Sequence, residues 1–183
     1  MIEEPAVWLI FFLPLASFVV IVLLIRPFLN TYAVLAGYIT IGAVGASFLL
    51  SMWALGSVEG RGGGAELLWG HDWMEIGGLD FNVGIMLDSL TAIMLVVATG
   101  ISLLVQVYST GYMKGDPRFG WYFAVHALFA AAMLALVLAD NLLFLYIAWE
   151  LVGLGSYLLI GFWHERPAAK EAAKKAFIVT RIG

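Results

Sequence analysis

The segment 141–163, NLLFLYIAWELVGLGSYLLIGFW, decides the fold, because it is apolar along its whole length except for one charged residue, Glu150. A helix needs roughly 20 apolar residues to cross the hydrocarbon core of a bilayer, and this segment reaches that length. Strands of a membrane β-barrel are shorter and alternate polar with apolar residues. The segment therefore predicts a transmembrane α-helix.

Similar apolar runs occur along the rest of the chain. They predict an all-α integral membrane protein, a multi-helix bundle that forms a single transmembrane domain over residues 1–183. A sixth helix is expected to begin near Ala168 and is cut off at Gly183. The five complete helices are predicted near residues 5–25, 31–55, 83–107, 119–139 and 141–163.

The composition agrees with a lipid environment. Hydrophobic residues make up 63% of the chain and charged residues only 12%, whereas soluble domains carry about 25% charged residues. There is no cysteine, which excludes a thiolate-held iron–sulfur cluster and a cysteine-based zinc site in this chain. The net charge of -4 gives no reason to expect a nucleic-acid partner.

Charge placement predicts the topology. The first apolar run follows Glu3 and Glu4 with no basic residue before it, so we expect a permanent helix with its N-terminus outside, not a signal peptide. The outer loops then hold only Arg61, in agreement with the positive-inside rule. The inner loops and the start of the sixth helix hold Arg26, Lys114, Arg118, Arg166, Lys170, Lys174 and Lys175.

The outer loop at 56–82 is the one sizeable segment expected outside the membrane. The glycine-rich stretch 60–64 predicts a turn or flexible chain. Gly77-Gly78, between 74–76 and 79–81, favours a small hairpin. Trp69, Trp73 and Met74 suit a membrane interface. We expect this loop to cap the bundle.

Glu150 lies about 15 Å from Asp140 and about 20 Å from Trp163 along a helix, close to mid-bilayer. A charge there costs about 2.5–3.5 kcal/mol, so the carboxyl group is expected to face protein or water. Tyr146, Gly153 and Tyr157 share its helix face. A carboxyl group held between burial and a nearby cation can take up and release protons. The alternative is an acid that only pins two helices together.

The sixth helix brings basic residues toward the same depth. Glu171 and Lys175 are four apart and could pair, whereas Lys174 and Arg181 share a face. For Lys170 and Lys174 we favour a side chain that reaches back to the inner surface. Lys175, about 10 Å beyond the helix start, is a candidate for proton transfer, with a side chain that reaches the inner surface as an equal alternative. The deeper Arg181 is also a candidate for proton transfer.

His126 completes the candidates, since imidazole titrates near neutral pH, although a hydrogen-bonded packing histidine is an equal alternative. Asp88 is expected to cap or hydrate the third helix, and Asp140 to cap the fifth. The three histidines lack metal-ligand spacing, and no catalytic motif occurs. Ion movement is the function that fits.

Several stretches together resemble a known family. They are ADNLL at 139–143, WELVGLGSYLLIGF at 149–162 and AAKKAFIVTRIG at 172–183, with LDSL at 87–90 and YSTGYM at 108–113 upstream. The pattern resembles the antiporter-like subunit L, or chain 5, of NADH–quinone oxidoreductase (respiratory complex I). The resemblance covers the whole chain as the N-terminal portion of a longer antiporter-like subunit.

This resemblance implies a proton-translocating subunit of a translocase that couples NADH oxidation and quinone reduction to proton pumping. FMN and iron–sulfur clusters are then expected in other subunits, quinone elsewhere in the complex, and no cofactor in this chain. The implied partners are the other membrane-arm subunits and the bilayer, in a bacterial inner membrane. Glu150 matches a family glutamate that pairs with a lysine on helix seven, beyond Gly183. At Gln106 the chain departs from relatives that often have histidine.

Two related families give alternative interpretations. The large subunit of multisubunit Na+/H+ antiporters shares the fold and the Trp-Glu pair, although its helix-five sequence is usually richer in Thr and Ser than 151–155 is here. A membrane-bound hydrogenase subunit is a further alternative. A purely structural membrane spacer belongs to a different class, and it predicts that Glu150→Gln leaves proton transport intact.

Overall fold

The computed structural model describes residues 2–28, 33–60, 67–76 and 79–182. Within these residues the chain forms six helices and one two-stranded antiparallel hairpin, which is inserted between the second and third helices. The elements are α1 (Glu4–Phe28), α2 (Val34–Glu59), β1 (Leu67–Ile76), β2 (Leu79–Leu87), α3 (Ser89–Tyr112), α4 (Phe119–Leu138), α5 (Leu142–Ile160) and α6 (Pro167–Ile182).

The helices α1 to α5 are each long and apolar enough to cross a membrane, which confirms the five predicted spans. Their boundaries differ from the prediction in places. The second helix runs to Glu59 instead of 55, and the fifth ends at Ile160 instead of 163. The sixth begins at Pro167, a residue that suits the first helical turn because its missing N–H would have no intrahelical partner there.

Pro14 lies inside α1. A proline cannot donate a backbone hydrogen bond, so the carbonyl four residues earlier, that of Ile10, loses its helical partner. The hydroxyl of Ser47 on α2 donates to that carbonyl at 2.9 Å, and Ser17 donates to the carbonyl of Pro14 at 2.7 Å. In a bilayer a freed carbonyl has no water to bond, and a neighbouring hydroxyl therefore makes the proline tolerable.

Near its other end α1 widens into a π-helical turn at Ile21–Ile25. The N–H of Arg26 bonds to the carbonyl of Ile21, five residues back. Pro27 follows directly, and its ring crowds the carbonyl four residues earlier in a regular α-helix. The wider turn accommodates this proline and lets the helix continue to Phe28.

The helix α4 is the centre of the described bundle, packed against α1, α2, α3 and α5. Its sequence is rich in alanine, and its residues are buried on nearly all sides. Apolar side chains form two clusters, one at each end of the bundle. They are named outer-end and inner-end after the orientation that the charge pattern predicts. The outer-end cluster, beside the hairpin, includes Val7, Ile10, Val58, Ile85, Leu87, Leu95, Leu134 and Leu138. The inner-end cluster includes Ile21, Ile25, Ala36, Met113, Phe119, Phe123 and Phe162.

The hairpin confirms one prediction and corrects another. Its strands pair from Leu67 opposite Leu87 to Ile76 opposite Leu79, so it is longer than the small hairpin that was expected. The prediction that the third helix begins at 83 is wrong, because 83–87 belongs to β2. A short apolar run reads equally well as strand or helix, and here Ile85 and Leu87 alternate inward into the outer-end cluster.

Parts of the predicted outer loop lie outside the described residues. These are the glycine-rich stretch from Arg61 to Gly64, the Gly77-Gly78 turn, and the side chains of Trp73 and Met74. Trp69 is described, and its ring packs against the outer-end cluster. The predicted hairpin position is therefore confirmed by its strands, without a statement on its turn.

The hairpin docks on the turn between α4 and α5. Ile85 forms a bridge with Ala139, and the amide of Asn141 donates to the carbonyl of Asn82 at 3.0 Å. The prediction that Asp140 caps α5 is wrong: Asn141 is the cap, and its side chain accepts from the N–H of Phe144 at 2.8 Å. The cap predicted for α3 is confirmed, since Asp88 accepts from the N–H of Thr91 at 2.7 Å.

Candidate functional site

The helices α5 and α6 approach closely because two glycines lie on their contact face. A Cβ atom at Gly153 would come within 3.4 Å of the Thr180 hydroxyl, and one at Gly161 within 3.2 Å of the Ala173 Cβ. Without these side chains the two backbones can lie side by side. This contact brings the second half of α6 next to the middle of α5.

At this contact the side chains of Glu150 and Arg181 form an ion pair. The guanidinium group also lies 3.4 Å from the backbone carbonyl of Glu150. Glu150 is about 12 Å from the start of α5 at Leu142 and about 15 Å from its end at Ile160. The pair therefore lies near the middle of a membrane-spanning helix. The Glu150 side chain is 20% exposed and that of Arg181 33%, so the described residues cover the pair only in part.

Aromatic rings lie beside the Arg181 end of this pair. The guanidinium group of Arg181 lies 4.4 Å from the ring centre of Phe177, an attractive cation–π geometry. The ring of Phe177 in turn lies 5.3 Å from that of Tyr157. Of the helix face predicted around Glu150, Gly153 and Tyr157 meet α6, whereas Tyr146 is exposed.

The structure places the basic residues of α6 in different settings. Arg181 reaches Glu150, as described above. Lys175 is exposed, and among the described residues it makes no ion pair. Glu171, for which Lys175 was one possible partner, instead binds Lys174 at 2.9 Å. Arg181 is thus the basic residue of α6 that the fold brings to the carboxyl group in mid-span.

His126 lies elsewhere in the bundle, on α4 facing α3. Its Nδ1 is 3.2 Å from Nε2 of Gln106, and both side chains are buried. With Nε2 of Gln106 as the donor, Nδ1 of His126 accepts this hydrogen bond. The Oε1 atom of Gln106 is then buried without a partner among the described residues. Within the described residues, no hydrogen bond or ion pair joins His126 to Glu150 or Arg181.

A second polar contact lies one turn along the same helix interface. The hydroxyl groups of Ser109 and Tyr122 are 2.9 Å apart, and the ring of Tyr122 lies 5.9 Å from that of His126. These four side chains form a polar row that the sequence analysis did not predict, since it noted Gln106 only as a departure from relatives with histidine. The signal was present, because Gln106 and Ser109 are three apart on α3 while Tyr122 and His126 are four apart on α4.

The loop after α5 ties the inner end of the bundle together. Arg118 binds Glu165 at 2.8 Å and lies 3.1 Å from Nδ1 of His164. A hydrogen bond from its own backbone N–H, and then the Arg118 guanidinium, hold the pKa of Glu165 below its usual value. In the part of the chain that the structure describes, no three His, Asp or Glu side chains gather as a metal would require.

Two known families match the sequence. Residues 73–123 match the family described as NADH-ubiquinone oxidoreductase (complex I), chain 5 N-terminus. Residues 139–183 match the family described as NADH:quinone oxidoreductase/Mrp antiporter, transmembrane region. The second match contains both Glu150 and Arg181. The chain belongs to the chain 5, or subunit L, family of NADH–quinone oxidoreductase.

Curated members of the chain 5 family are similar over most of this chain. The NADH-quinone oxidoreductase subunit L of Pseudomonas aeruginosa is 45% identical over 151 residues, which cover 81% of this chain and 25% of that protein. The chain 5 protein of Synechocystis is 41% identical, covering 78% and 21%. The chloroplastic subunit 5 of Nephroselmis olivacea is 40% identical, covering 100% and 28%. The chain thus spans about a quarter of the length of these relatives.

Solved structures show the same antiporter-like bundle. A chain of the Mrp complex from Dietzia sp. superimposes with a TM-score of 0.72 at 25% identity, covering 94% of this chain and 17% of that one. A chain of an archaeal membrane-bound sulfane sulfur reductase gives a TM-score of 0.70 at 17% identity, covering 94% and 33%. These relatives are subunits of multi-subunit membrane complexes, and the chain 5 family member described here is an integral membrane protein of the same fold.

Proposed function

We propose that this chain is part of a proton-translocating membrane subunit of NADH–quinone oxidoreductase, in which NADH oxidation and quinone reduction are coupled to proton pumping. The observation that carries the proposal is the ion pair between Glu150, in the middle of α5, and Arg181, in the last turn of α6. Ionisable residues inside a membrane are costly and usually functional. The names of the curated relatives support the coupling to NADH and quinone.

The geometry supports a proton-dependent switch at this pair. While Glu150 is ionised, its carboxylate holds the guanidinium group of Arg181. A proton on Glu150 removes that attraction, and the arginine is left with the Glu150 carbonyl and the Phe177 ring. The pair therefore acts as a loading site in a longer path.

Lys175 and His126 are proposed as further members of that path. Lys175 is exposed on α6, two turns before Arg181, and can relay protons between the inner surface and the pair. The imidazole ring of His126 lies within the bundle, beside the row of Gln106, Ser109 and Tyr122. This row suits a relay that runs along the interface between α3 and α4.

We test the proposal with Glu150→Gln, which keeps the side-chain shape and removes the titrating group. The expected result is a clear loss of protons moved per NADH oxidised, measured in vesicles containing the complete complex. Glu171→Gln is the matched control, because that carboxylate is exposed and pairs only with Lys174 on its own helix. Unchanged stoichiometry in Glu150→Gln would favour a purely structural spacer.

The remaining assignments follow from the proposed complex. We place FMN and the iron–sulfur clusters in other subunits and the quinone site elsewhere in the complex, so that this chain performs no redox chemistry. Its residues 1–183 act as one transmembrane unit among other membrane-arm subunits. The proposed location is a bacterial inner membrane with the N-terminus outside, since this orientation puts most basic loop residues inside.

An antiporter role is the second candidate. It is favoured by the similarity to a chain of the Mrp complex and by the wording of the family that matches 139–183. Sodium-driven proton movement in vesicles, measured without NADH, separates the two functions. Proton movement that needs sodium and not NADH would overturn the main proposal. The chain would then be part of the large subunit of an antiporter or of a membrane-bound hydrogenase.

A further inference from the structure

A basic cavity lies at the inner end of the bundle, where α1 and α5 end and α4 and α6 begin. Its volume is about 590 Å³, within the range of small-molecule sites. Among the described residues no aspartate or glutamate lines it. The side chains that give it its charge are those of Arg26, Arg118, His164, Lys170 and Lys174.

The charges of this cavity are only partly compensated. Arg118 is paired with Glu165, and Lys174 with Glu171. Arg26 and Lys170 have no carboxylate partner among the described residues. Two cationic side chains therefore face a cavity to which the described residues contribute no anionic partner for them. Such an arrangement is suited to an anionic ligand.

The lining changes from charged to apolar with depth. Arg26 lies two residues before the end of α1, whereas Ile21 lies about 7 Å deeper than Arg26 in the same helix. The ring of Trp121, near the start of α4, sits 4.6 Å from the Arg26 guanidinium group. Tryptophan beside arginine is typical of the boundary between headgroups and hydrocarbon. The cavity thus spans that boundary.

The π-helical turn of α1 is part of the same cavity. Ile21 and Ile25, the first and last residues of that turn, both line it. Single π-helical turns are rare and occur often at functional sites. Here the wider turn supplies the apolar wall directly below Arg26.

We propose that this cavity binds the phosphate-bearing headgroup of an anionic phospholipid. Arg26 and Lys170 hold the phosphate, and the upper parts of the acyl chains run along Leu158, over the buried floor that Ile21 and Ile25 form. Basic pockets between transmembrane helices are suited to such headgroups. A free phosphate ion would use the same cations but not the apolar wall. The inference does not depend on proton transport by Glu150.

The test uses the membrane protein purified with whatever partner subunits its native membrane supplies. It is placed in nanodiscs of phosphatidylcholine alone or of equal parts phosphatidylcholine and phosphatidylglycerol, and retained lipid is counted by native mass spectrometry after detergent release. We expect the unaltered protein to retain phosphatidylglycerol in preference to phosphatidylcholine. Arg26→Gln and Lys170→Gln should each weaken retention about fivefold, the effect of one basic residue near a lipid surface.

Two variants are matched controls for these changes. Arg166 stacks on Trp163 as Arg26 does on Trp121, but it does not line the cavity, so Arg166→Gln should leave retention unchanged. Lys114→Gln controls for Lys170→Gln, since Lys114 is exposed and lies outside this cavity. Equal retention of both lipids, or equal losses in the controls, overturns the proposal. Displacement of the lipid by millimolar inorganic phosphate would instead assign the cavity to a free anion and overturn it as well.

Discussion

The pair of Glu150 and Arg181 and the pair of Gln106 and His126 each join two helices, and they differ in charge and in surroundings. Glu150 and Arg181 are ionised partners that stay partly exposed between α5 and α6. Gln106 and His126 are neutral partners buried between α3 and α4. An apolar interior accepts a hydrogen-bonded neutral pair at little cost, whereas an ion pair loses its hydration there.

The surroundings of the two pairs explain the difference. In the described bundle, 61% of the central stretch of α4 is buried, against 11% for α5. The charged pair occurs on a helix that the described residues leave largely uncovered, and the neutral pair on the helix that they enclose. In the enclosed pair the hydrogen bond also holds α3 against α4.

The largest effect is expected from Arg181→Gln, because it leaves the Glu150 carboxylate without its partner in mid-span. Breaking a buried pair costs 3–5 kcal/mol, and partial exposure reduces this to about 2 kcal/mol. The measurement is the thermal unfolding midpoint of the purified protein in detergent. The double variant with Glu150→Gln should recover most of the loss, since neither side chain is then charged.

The surface pair Glu171 and Lys174 is the control for that cycle. Both side chains are more than half exposed, so Lys174→Gln should change stability by less than about 0.5 kcal/mol. If the Glu150 and Arg181 losses simply added in the double variant, the two residues would not interact, and the contrast between the pairs would fail.

The next effect is expected at Gly155, where α5, which carries Glu150, packs on α4, which carries His126. A Cβ atom there would lie 3.1 Å from the Phe129 ring and 3.3 Å from the Phe129 Cα. We expect Gly155→Ala to destabilise the protein by about 1–2 kcal/mol, because the Phe129 backbone cannot move aside easily. The unfolding midpoint in detergent measures this change.

Gly42 on α2 is the matched position, since a Cβ atom there meets no atom within 4 Å. Gly42→Ala should be neutral or stabilising by up to about 1 kcal/mol, the helix propensity of alanine over glycine. Opposite signs at the two glycines are expected. A destabilisation of equal size at both would show that contact with Phe129 does not decide the effect.

The sequence predicted the helices better than it predicted their contacts. Run length and hydrophobicity are properties of one segment, and they were enough for the five spans. The partner of Glu150 depends on how α5 and α6 rotate against each other, which the spacing of residues along one helix does not reveal. Arg181 was therefore a candidate by depth, and its contact with Glu150 needed the structure.

The errors have a similar physical origin. The residues 83–87 form an apolar run that suits both strand and helix, and pairing with 67–72 across the hairpin made it a strand. Asp140 and Asn141 are both good helix caps, and the hairpin contact of Asn141 selected it. The hydrogen bond of His126 agrees with the predicted alternative of a hydrogen-bonded packing histidine. The sequence did not indicate that Gln106 would be its partner.

A smaller effect is expected at the neutral pair. Gln106→Leu leaves the Nδ1 atom of His126 buried without its donor, which costs about 1–2 kcal/mol. The double variant with His126→Leu should be less destabilised than this single one, because no polar atom is then left unpaired. Thermal unfolding of the three variants in detergent tests this expectation.

Thr110→Val is the control, since the Thr110 hydroxyl bonds only to a carbonyl of its own helix. Proton transport should also distinguish the two polar pairs. If the only role of Gln106 is to hold α3 against α4, Gln106→Leu should lower the stability and leave the number of protons moved per NADH unchanged. A loss of stoichiometry at unchanged stability would instead make the buried row part of the path.

The smallest effect is expected at the helix caps. Here the charged residue caps α3 and the neutral one caps α5, whereas of the two interhelical pairs the charged one lies on α5 and the neutral one on α3. Hydrogen bonding from the Thr91 backbone N–H holds the pKa of Asp88 below its usual value of 3.8. Its contribution to stability is therefore present above that value and is lost as the pH falls through the lowered pKa of the folded state. Asp88→Ala should cost about 1 kcal/mol at neutral pH and progressively less in acid.

Asn141→Ala on α5 should cost about as much, near 1 kcal/mol, but equally at every pH, because an amide does not titrate. The measurement is the unfolding midpoint of each variant minus that of the unaltered protein at the same pH. The two variants are then compared by how this difference changes with pH. A cost of Asp88→Ala that stayed constant in acid would mean that the Asp88 carboxylate does not stabilise α3 through its charge. The contrast between the caps would then reduce to hydrogen bonding, which aspartate and asparagine side chains supply equally well.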